Sequence, residues 1–469
     1  MIDKELRSLG FPKEVILKAI HVLESEYRKL NIIQIRALMK RVVTSPAFYK
    51  DHPKLGTVAK ELIKKTYRFG SVPKKIRSKS SSYPIYGEEG IDTVARQQMD
   101  VAMKLPITIS GALMPDAHPG YGLPIGGVLA SDNAVIPYGV GVDIGCRMRI
   151  SAYDLPIEFL DQNREQLKTM LVENTRFGRA AFTKPRDHPV LERQEFKEIM
   201  VLRELLDRAS DQIGTSGGGN HFVEFGILEI PEFDDRLGLQ PGKYMALLSH
   251  SGSRGMGAEI ARHYTRLAQQ ICELPGEARQ LAWLTLDSEE GQEYWKAMNL
   301  AGDYASACHQ QIHERFAQAL AEEPLATVEN HHNFAWKESD DAGNEIIVHR
   351  KGATPAGKNV LGVIPGTMTS PGFIVRGKGD VKSINSAAHG AGRVMSRREA
   401  RRTFTHNEVA RHLKKAGVDV IGSGLDEAPM VYKDIYQVMK YQKDLVEVVG
   451  MFWPKVVRMC GDKKYVEVD

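Results

Sequence analysis

The 469-residue chain contains no uninterrupted apolar run near the ~20 residues that a membrane-spanning helix needs. Its first residues, MIDKELRSLGFPKE, put charges where a secretory signal would carry its apolar stretch, so a cytoplasmic location is expected. Cysteine is scarce. Cys146, Cys272, Cys308 and Cys460 lie far apart with no CxxC pair, which excludes a disulfide framework and suits a reducing compartment. Neither sign of charge dominates: 63 Lys and Arg stand against 59 Asp and Glu, a formal net charge of +4. That balance is compatible with nucleic acid but does not specify it. Internal repeats and low-complexity tracts are also missing.

What is present is enough to bury a large core, with 42% hydrophobic and 26% charged residues, and the length predicts two or three structural units. Residues 1 to about 70 read as helical, because PKEVILKAIHVLESEYRKL and IIQIRALMKRVV repeat apolar residues at three- and four-residue spacing. SVPKKIRSKSSSYP then reads as a solvated linker whose basic run (Lys74, Lys75, Arg77, Lys79) is also able to touch phosphates. From about residue 85, short apolar runs (GGVLAS, NAVIPYGVGVD, YMALLSHSG, NVLGVIPG) alternate with glycine-rich turns and predict strands of a mixed sheet. Helices are predicted over roughly 190–212 and 279–321. The second carries a stripe of Tyr294, Met298, Ala301, Ala305, Cys308, Ile312 and Phe316, which places Cys308 in the core. The expected fold is α+β, a mixed sheet core with flanking helices, divided into an extension at 1–80 and a catalytic domain at 81–469.

Polar side chains in glycine-rich strand ends point to function. Such segments are MPDAHPGYG (114–122), GVDIGCRM (141–148), GTSGGGNHFVEF (214–225), SHSGSRG (249–255), ENHHNFAW (329–336) and SAAHGAGR (386–393). They hold His118, His221, His250, His331, His332 and His389, with His309 and His349 on neighbouring elements: eight of the 15 histidines. Cys146 follows Asp143 by three residues, so one turn is able to aim thiolate and carboxylate at a shared point, with His221, His250 and His332 completing one or two metal sites. Ligand softness alone favours Zn²⁺ over Mn²⁺ there. GTSGGGN, SHSGSRG, PGTMTSPG and HGAGR offer unobstructed backbone N–H groups to an oxyanion, and Arg254 and Arg393 add charge beside them.

Other signatures drop out. GATPAGKN (352–359) approaches a phosphate loop, but Asn359 replaces the required hydroxyl and a strand-like run follows where a helix is needed. His309 and His313 share a helix face without the glutamate of HExxH, so a surface pair is expected. Asp-Gly occurs nowhere, so the KxDG motif of lysine-nucleotidylating ligases is absent.

Taken in order, MPDAHPGYGLPIGG, VGVDIGCRM, GTSGGGNHFVEF, HSGSRG, HHN, RKGATPA, PGTM, HGAGRVMSR and DEAPMVYKDI resemble the RtcB RNA-splicing ligase family over roughly residues 85 to 435. The resemblance implies that Asp143, Cys146, His221, His250 and His332 ligate two adjacent metal ions, usually Mn²⁺ (Zn²⁺ or Co²⁺ as substitutes), with Cys146 bridging. It implies His389 as the nucleophile toward the α-phosphate of GTP, with Asp116 lying near this site and assisting ligation. Asn220, Phe222, Glu224, Asn333, Pro365, Gly366, Thr367, Met368, Gly390, Ala391, Gly392 and Tyr432 resemble its guanosine-phosphate contacts. The implied reaction joins an RNA 3′-phosphate or 2′,3′-cyclic phosphate to a 5′-hydroxyl, in a monomer. Three departures stand out: the helical extension, Gly372 where a serine often contacts guanine, and the ending RMCGDKKYVEVD, in which Lys463, Lys464 or neither takes the place of the family's guanine-contacting lysine. They keep open an RNA end-processing phosphodiesterase without ligation, and a non-catalytic RNA-binding protein on the same scaffold.

Overall fold

A computed structural model describes residues 2–9, 11–44, 46–68 and 75–461; Lys74, Lys463 and Lys464 lie outside the described residues. The chain divides into two compact units, Met1–Lys74 with Arg266–Glu273, and Lys75–Thr265 with Leu274–Asp469. The first unit contains helices Ile2–Ser8, Lys13–Glu26, Ile32–Thr44, Pro46–Tyr49 and Gly56–Arg68. Their apolar stripes bury Leu6, Ile16, Leu23, Met39 and Leu62.

The second unit is an α+β fold built on two main sheets. An eight-stranded sheet runs in the order Leu361–Ile364, Gly372–Gly377, Val446–Met459, Phe222–Ile230, Gly242–Ser251, Arg147–Tyr153, Ala326–His331, with Asp419–Ile421 pairing parallel to Val446–Met459. A four-stranded sheet runs Thr108–His118, Ile125–Ser131, Glu345–Lys351, Asn333–Ser339. The ends of the large sheet are stitched by a side chain. Buried Asn330 accepts from the Val363 N–H (2.8 Å) and donates to the Val363 carbonyl (3.3 Å) and to Thr354 Oγ1 (2.7 Å). An amide carries both a donor and an acceptor, so it imitates one backbone unit of a ladder.

Register positions the functional loops. Met148 pairs with both His250 and Asn330, and Phe222 pairs with His250. Cys146, His221, His250 and His332 therefore share one end of four adjacent strands. His332 is the single residue between Ala326–His331 in the large sheet and Asn333–Ser339 in the small one.

Several expected elements differ. In NAVIPYGVGVD only Ala134–Val135 is strand; Pro137, with its fixed φ, opens the helical turn Pro137–Val140 instead, which Gly141 ends at φ 99°. The helix over 190–212 is broken into Pro189–Glu192, Glu195–Glu198, Met200–Arg203 and Leu206–Gln212, with Ile199 extended between two of the turns. The long helix begins at Glu289, capped by the Ser288 hydroxyl, and ends at Leu320, where Ala321 turns left-handed. Helix Arg254–Ile271 is not among the expected elements. The strand expected in NVLGVIPG is found at Leu361–Ile364, and Cys308 is fully buried. In the linker, Arg77 donates to the carbonyls of Pro106 (3.2 Å) and Thr108 (3.1 Å). No helix among the described residues is long and apolar enough to cross a membrane.

The largest correction concerns His309 and His313, which are buried rather than a surface pair. Their one-turn spacing aims both rings at Ser249 on the back of the large sheet. His309 Nδ1 lies 2.8 Å from Ser249 Oγ, and that oxygen lies 2.9 Å from His313 Nε2. His313 Nδ1 then meets Ser151 Oγ (2.8 Å), Ser151 meets Thr327 Oγ1 (3.0 Å), and His309 Nε2 meets the Ser251 carbonyl (3.2 Å). The result is a hydrogen-bonded chain of five side chains crossing three strands. Burial pulls His309 down to about 3 and His313 well below the usual histidine range, so both rings are neutral.

Candidate active site

Four strand ends bring one thiol, three imidazoles and one carboxylate together. Cys146 Sγ lies 3.3 Å from His221 Nε2 and 3.1 Å from His250 Nε2, and all three residues are buried. His250 Nε2 lies 3.3 Å from His332 Nε2, and Asp143 Oδ2 lies 2.9 Å from His221 Nε2. His250 Nδ1 donates to the Asn220 carbonyl (3.2 Å), which fixes the tautomer and leaves a lone pair on Nε2. Burial pulls His250 and His332 well below the histidine range, keeping both neutral. Burial works to raise the Asp143 carboxyl, but the adjacent His221 imidazole holds it down at about 2. Lone pairs of sulfur, nitrogen and oxygen thus converge with few protons between them. That is the donor chemistry of a divalent cation site, and the residues fit one.

Neighbouring glycines make room for this convergence. A Cβ on Gly252 would stand 2.1 Å from Asp143 Oδ1, and one on Gly217 would stand 1.5 Å from His221 Nδ1. No other residue leaves space for those two side chains to turn inward.

A second constellation adjoins the first. His389 follows the short strand Ser386–Ala388, which pairs with Ala353–Pro355, and its ring lies 4.8 Å from that of His332. Its Nδ1 lies 2.7 Å from Oδ2 of Asp116, which also accepts the His389 backbone N–H (3.3 Å). Asp116 is fully buried on Thr108–His118, where the pairing with Ile125–Ser131 is irregular between Leu113 and His118. A carboxylate only accepts, so Nδ1 carries the proton of this bond, and in the neutral ring the lone pair then lies on Nε2. Lys433 Nζ donates to the carbonyls of Pro115 (3.0 Å) and Ala117 (2.8 Å), gripping the strand on both sides of Asp116.

Both constellations open into one cleft of about 1980 Å³. Asn220, Phe222, Glu224, Asn333, Pro365, Gly366, Thr367, Met368, Gly390, Ala391, Gly392, Tyr432, Arg254 and Arg393 all line it, as does Gly372. Asp116 alone of the expected residues lies beneath the surface, under His389. Asn333 also ties the walls together, its Oδ1 accepting from Gly352 N (2.7 Å) and its carbonyl from Gly145 N (2.7 Å). Burial pushes the Glu224 carboxyl well above its usual range. Both arginines are engaged with protein. Arg254 donates to Thr215 Oγ1 (3.1 Å) and the Gly178 carbonyl (2.6 Å); Arg393 donates to the Asp426 carbonyl (2.7 Å) and lies over the Tyr432 ring.

Some cleft residues had no role assigned from sequence. Lys351 donates to the carbonyls of Tyr121 (2.5 Å) and Tyr138 (3.2 Å), and Arg397 pairs with Glu427, which also accepts from the Tyr432 hydroxyl. Lys351, Glu427 and Lys433 fall in RKGATPA and DEAPMVYKD, so the motifs contained them without indicating what they do.

Comparison with known proteins follows the same residues. The family model described as tRNA-splicing ligase RtcB matches residues 97–204 and 192–459. RNA-splicing ligase RtcB of Escherichia coli (strain K12) is 34% identical over 389 residues, covering 76% of this chain and 92% of that protein. Its namesake in Mycobacterium tuberculosis (strain ATCC 25618 / H37Rv) is 32% identical over 432 residues, covering 76% and 98%. The tRNA-splicing ligase RtcB of Nanoarchaeum equitans is 29% identical over 435 residues, covering 78% and 91%. Every strand end that feeds the cleft lies inside the matched residues, and the chain belongs to the RtcB family.

Proposed function

We propose that this protein is a GTP-using, metal-dependent RNA ligase that carries a guanylyl group on His389. It joins an RNA 3′-phosphate, or a 2′,3′-cyclic phosphate first opened to that form, to a 5′-hydroxyl. The observation that carries the reading is the 2.7 Å bond from His389 Nδ1 to Asp116, beside the thiol–imidazole cluster. With Nδ1–H held by a buried carboxylate, Nε2 is the nucleophile, and Asp116 stabilises the positive charge that the ring gains on attack.

In the first step Nε2 bonds to the α-phosphorus of GTP and pyrophosphate leaves. The RNA 3′-phosphate oxygen then takes the guanylyl group from His389. Attack of the 5′-hydroxyl on the RNA phosphorus joins the ends, releasing GMP and the hydroxyl proton. Asp143, Cys146, His221, His250 and His332 would hold the divalent ions. When bound, such ions offset phosphate charge; Mn²⁺ is the expected metal, with Zn²⁺ or Co²⁺ as substitutes. Asn220, Phe222, Glu224, Asn333, the 365–368 loop, the 390–392 loop and Tyr432 hold the guanosine phosphate. Arg254 and Arg393 brace the walls that face phosphate. All the chemistry lies within the proposed catalytic domain, 81–469.

The test is incubation with Mn²⁺ and α-labelled GTP, followed by RNA bearing 3′-phosphate and 5′-hydroxyl ends. Label is expected on the wild-type protein and not on His389→Ala, and joined RNA follows. Absence of a labelled adduct with Mn²⁺, Co²⁺ and Zn²⁺ alike overturns the reading. Opening of a cyclic phosphate with no joined product favours end processing instead, for which Gly372 on the cleft wall is the motivating feature.

A further inference from the structure

Outside the cleft, one group of arginines gathers around a single aromatic ring with no ion pair among the described residues, Glu314 alone opposing the charge of Arg315. The loop after helix Arg164–Asn174 brings Arg176, Phe182 and Arg186 against Arg315 of helix Glu289–Leu320. The Arg315 guanidinium carbon lies 3.8 Å from the centroid of the Phe182 ring, and that of Arg176 lies 4.5 Å from it. Arg176 Nη1 donates only to backbone carbonyls of its own helix end, and Arg186 donates to the neutral amide of Gln318 (2.5 Å). Nε and Nη2 of Arg315 are buried and have no hydrogen-bond partner among the described residues. Among the described residues none of the three arginines has a carboxylate within 4.0 Å. Burial, and then the like charges of Arg186 and Arg176, pull Arg315 down to about 10.

Stacking on an aromatic ring uses the flat face of a guanidinium and leaves the accessible N–H groups of its edge for an oxyanion such as phosphate, so the ring pre-orients the donors. Three arginines so arranged, none of them in an ion pair among the described residues, match the repeated phosphates of a polynucleotide. The cluster is also contiguous with the cleft, because Gly178 and Arg179 in the same loop line it. We propose that Arg176, Arg186 and Arg315 form a binding site for the phosphate backbone of the RNA substrate, outside the catalytic cleft and away from the reacting end. It rests on the RNA-ligase reading above and adds to it where the strand runs on leaving the cleft past Arg179.

The test uses the full chain with metal and RNA whose ends are 3′-hydroxyl and 5′-hydroxyl, so that binding is read without reaction. Two lengths are compared, about 8 nucleotides, sized for the cleft, and about 40, long enough to reach beyond it. For the pair Arg176→Glu with Arg186→Glu, affinity for the long RNA should fall on the order of tenfold and its log–log salt slope should become shallower by about one to two. Affinity for the short RNA and labelling of His389 by α-labelled GTP should stay at wild-type levels. Arg315→Gln, checked by a thermal melt, should repeat the pattern. Unchanged long-RNA affinity and salt slope in the pair overturn the proposal, and so does equal weakening of both lengths. A wild-type protein that binds long RNA through these arginines yet joins no ends leaves the site standing and removes the ligase reading.

Discussion

His250 and His313 stand on opposite sides of one strand, both buried and both held neutral, yet their chemistry differs. His313 has a hydroxyl at each ring nitrogen, and the chain it belongs to is satisfied from the Ser251 carbonyl to Thr327. His250 has one nitrogen on a carbonyl and the other facing a sulfur and a second imidazole nitrogen. Burial and a depressed pKa therefore do not identify a metal ligand. Convergence of sulfur, imidazole nitrogen and carboxylate oxygen at one point is what marks a candidate ligand set.

The sharpest way to break the contrast is to substitute on each side of it. Cys146→Ala removes the donor shared by both halves of the cleft cluster, and bound metal and ligation should fall by at least ~100-fold. His389→Ala should abolish the GTP adduct while leaving metal content intact, separating nucleophile from ligand. Metal analysis alongside the labelling assay reads both.

On the other side, His309→Ala leaves Ser249 and the Ser251 carbonyl short of a partner. The cost should be about 1–3 kcal/mol of stability, seen as a lower melting temperature, with metal content close to wild type. Loss of metal to the same degree as in Cys146→Ala would erase the distinction.

Acid sharpens the comparison further. Histidines whose folded pKa lies below the free value near ~6.5 take up protons more readily when unfolded, so their contribution is complete above that pH and lost as pH falls. For His309 the loss should extend from about 6.5 toward about 3. Melting temperature should thus drop between pH 7 and pH 5, and added Mn²⁺, which binds only neutral imidazole, should recover the part due to His250 and His332. The part due to His309 and His313 should remain, and His309→Gln should reduce it. The smallest effect belongs to Thr327→Val at the exposed end of the chain, within about 0.5 kcal/mol and without change in metal content.

How far sequence reached follows from the distances involved. Strand ends rich in glycine and polar residues were visible because turn chemistry is local, and the stripe through Cys308 was visible because helical periodicity is local. Helix Arg254–Ile271 escaped because Gly255 and Gly257 make its first turn read as loop. His309 and His313 read as a surface pair because their partner, Ser249, lies 60 residues away. Asp116 and His389 are separated by 273 residues, so their membership of one site rested on family resemblance, and the hydrogen bond between them had no signal in the spacing. The ring shared by Arg176 and Arg315 had no local signal at all.

The Asn330 stitch has a mechanical consequence. Elsewhere the large sheet is held by continuous ladders, whereas its first and last strands meet through one carboxamide. A clasp of that kind is the easiest place for the wall to part, and its strand leads two residues later into His332. Asn330→Ala is therefore expected to loosen the wall at this seam and, through the two-residue link, the position of His332, which hydrogen exchange of the Val363 amide would report.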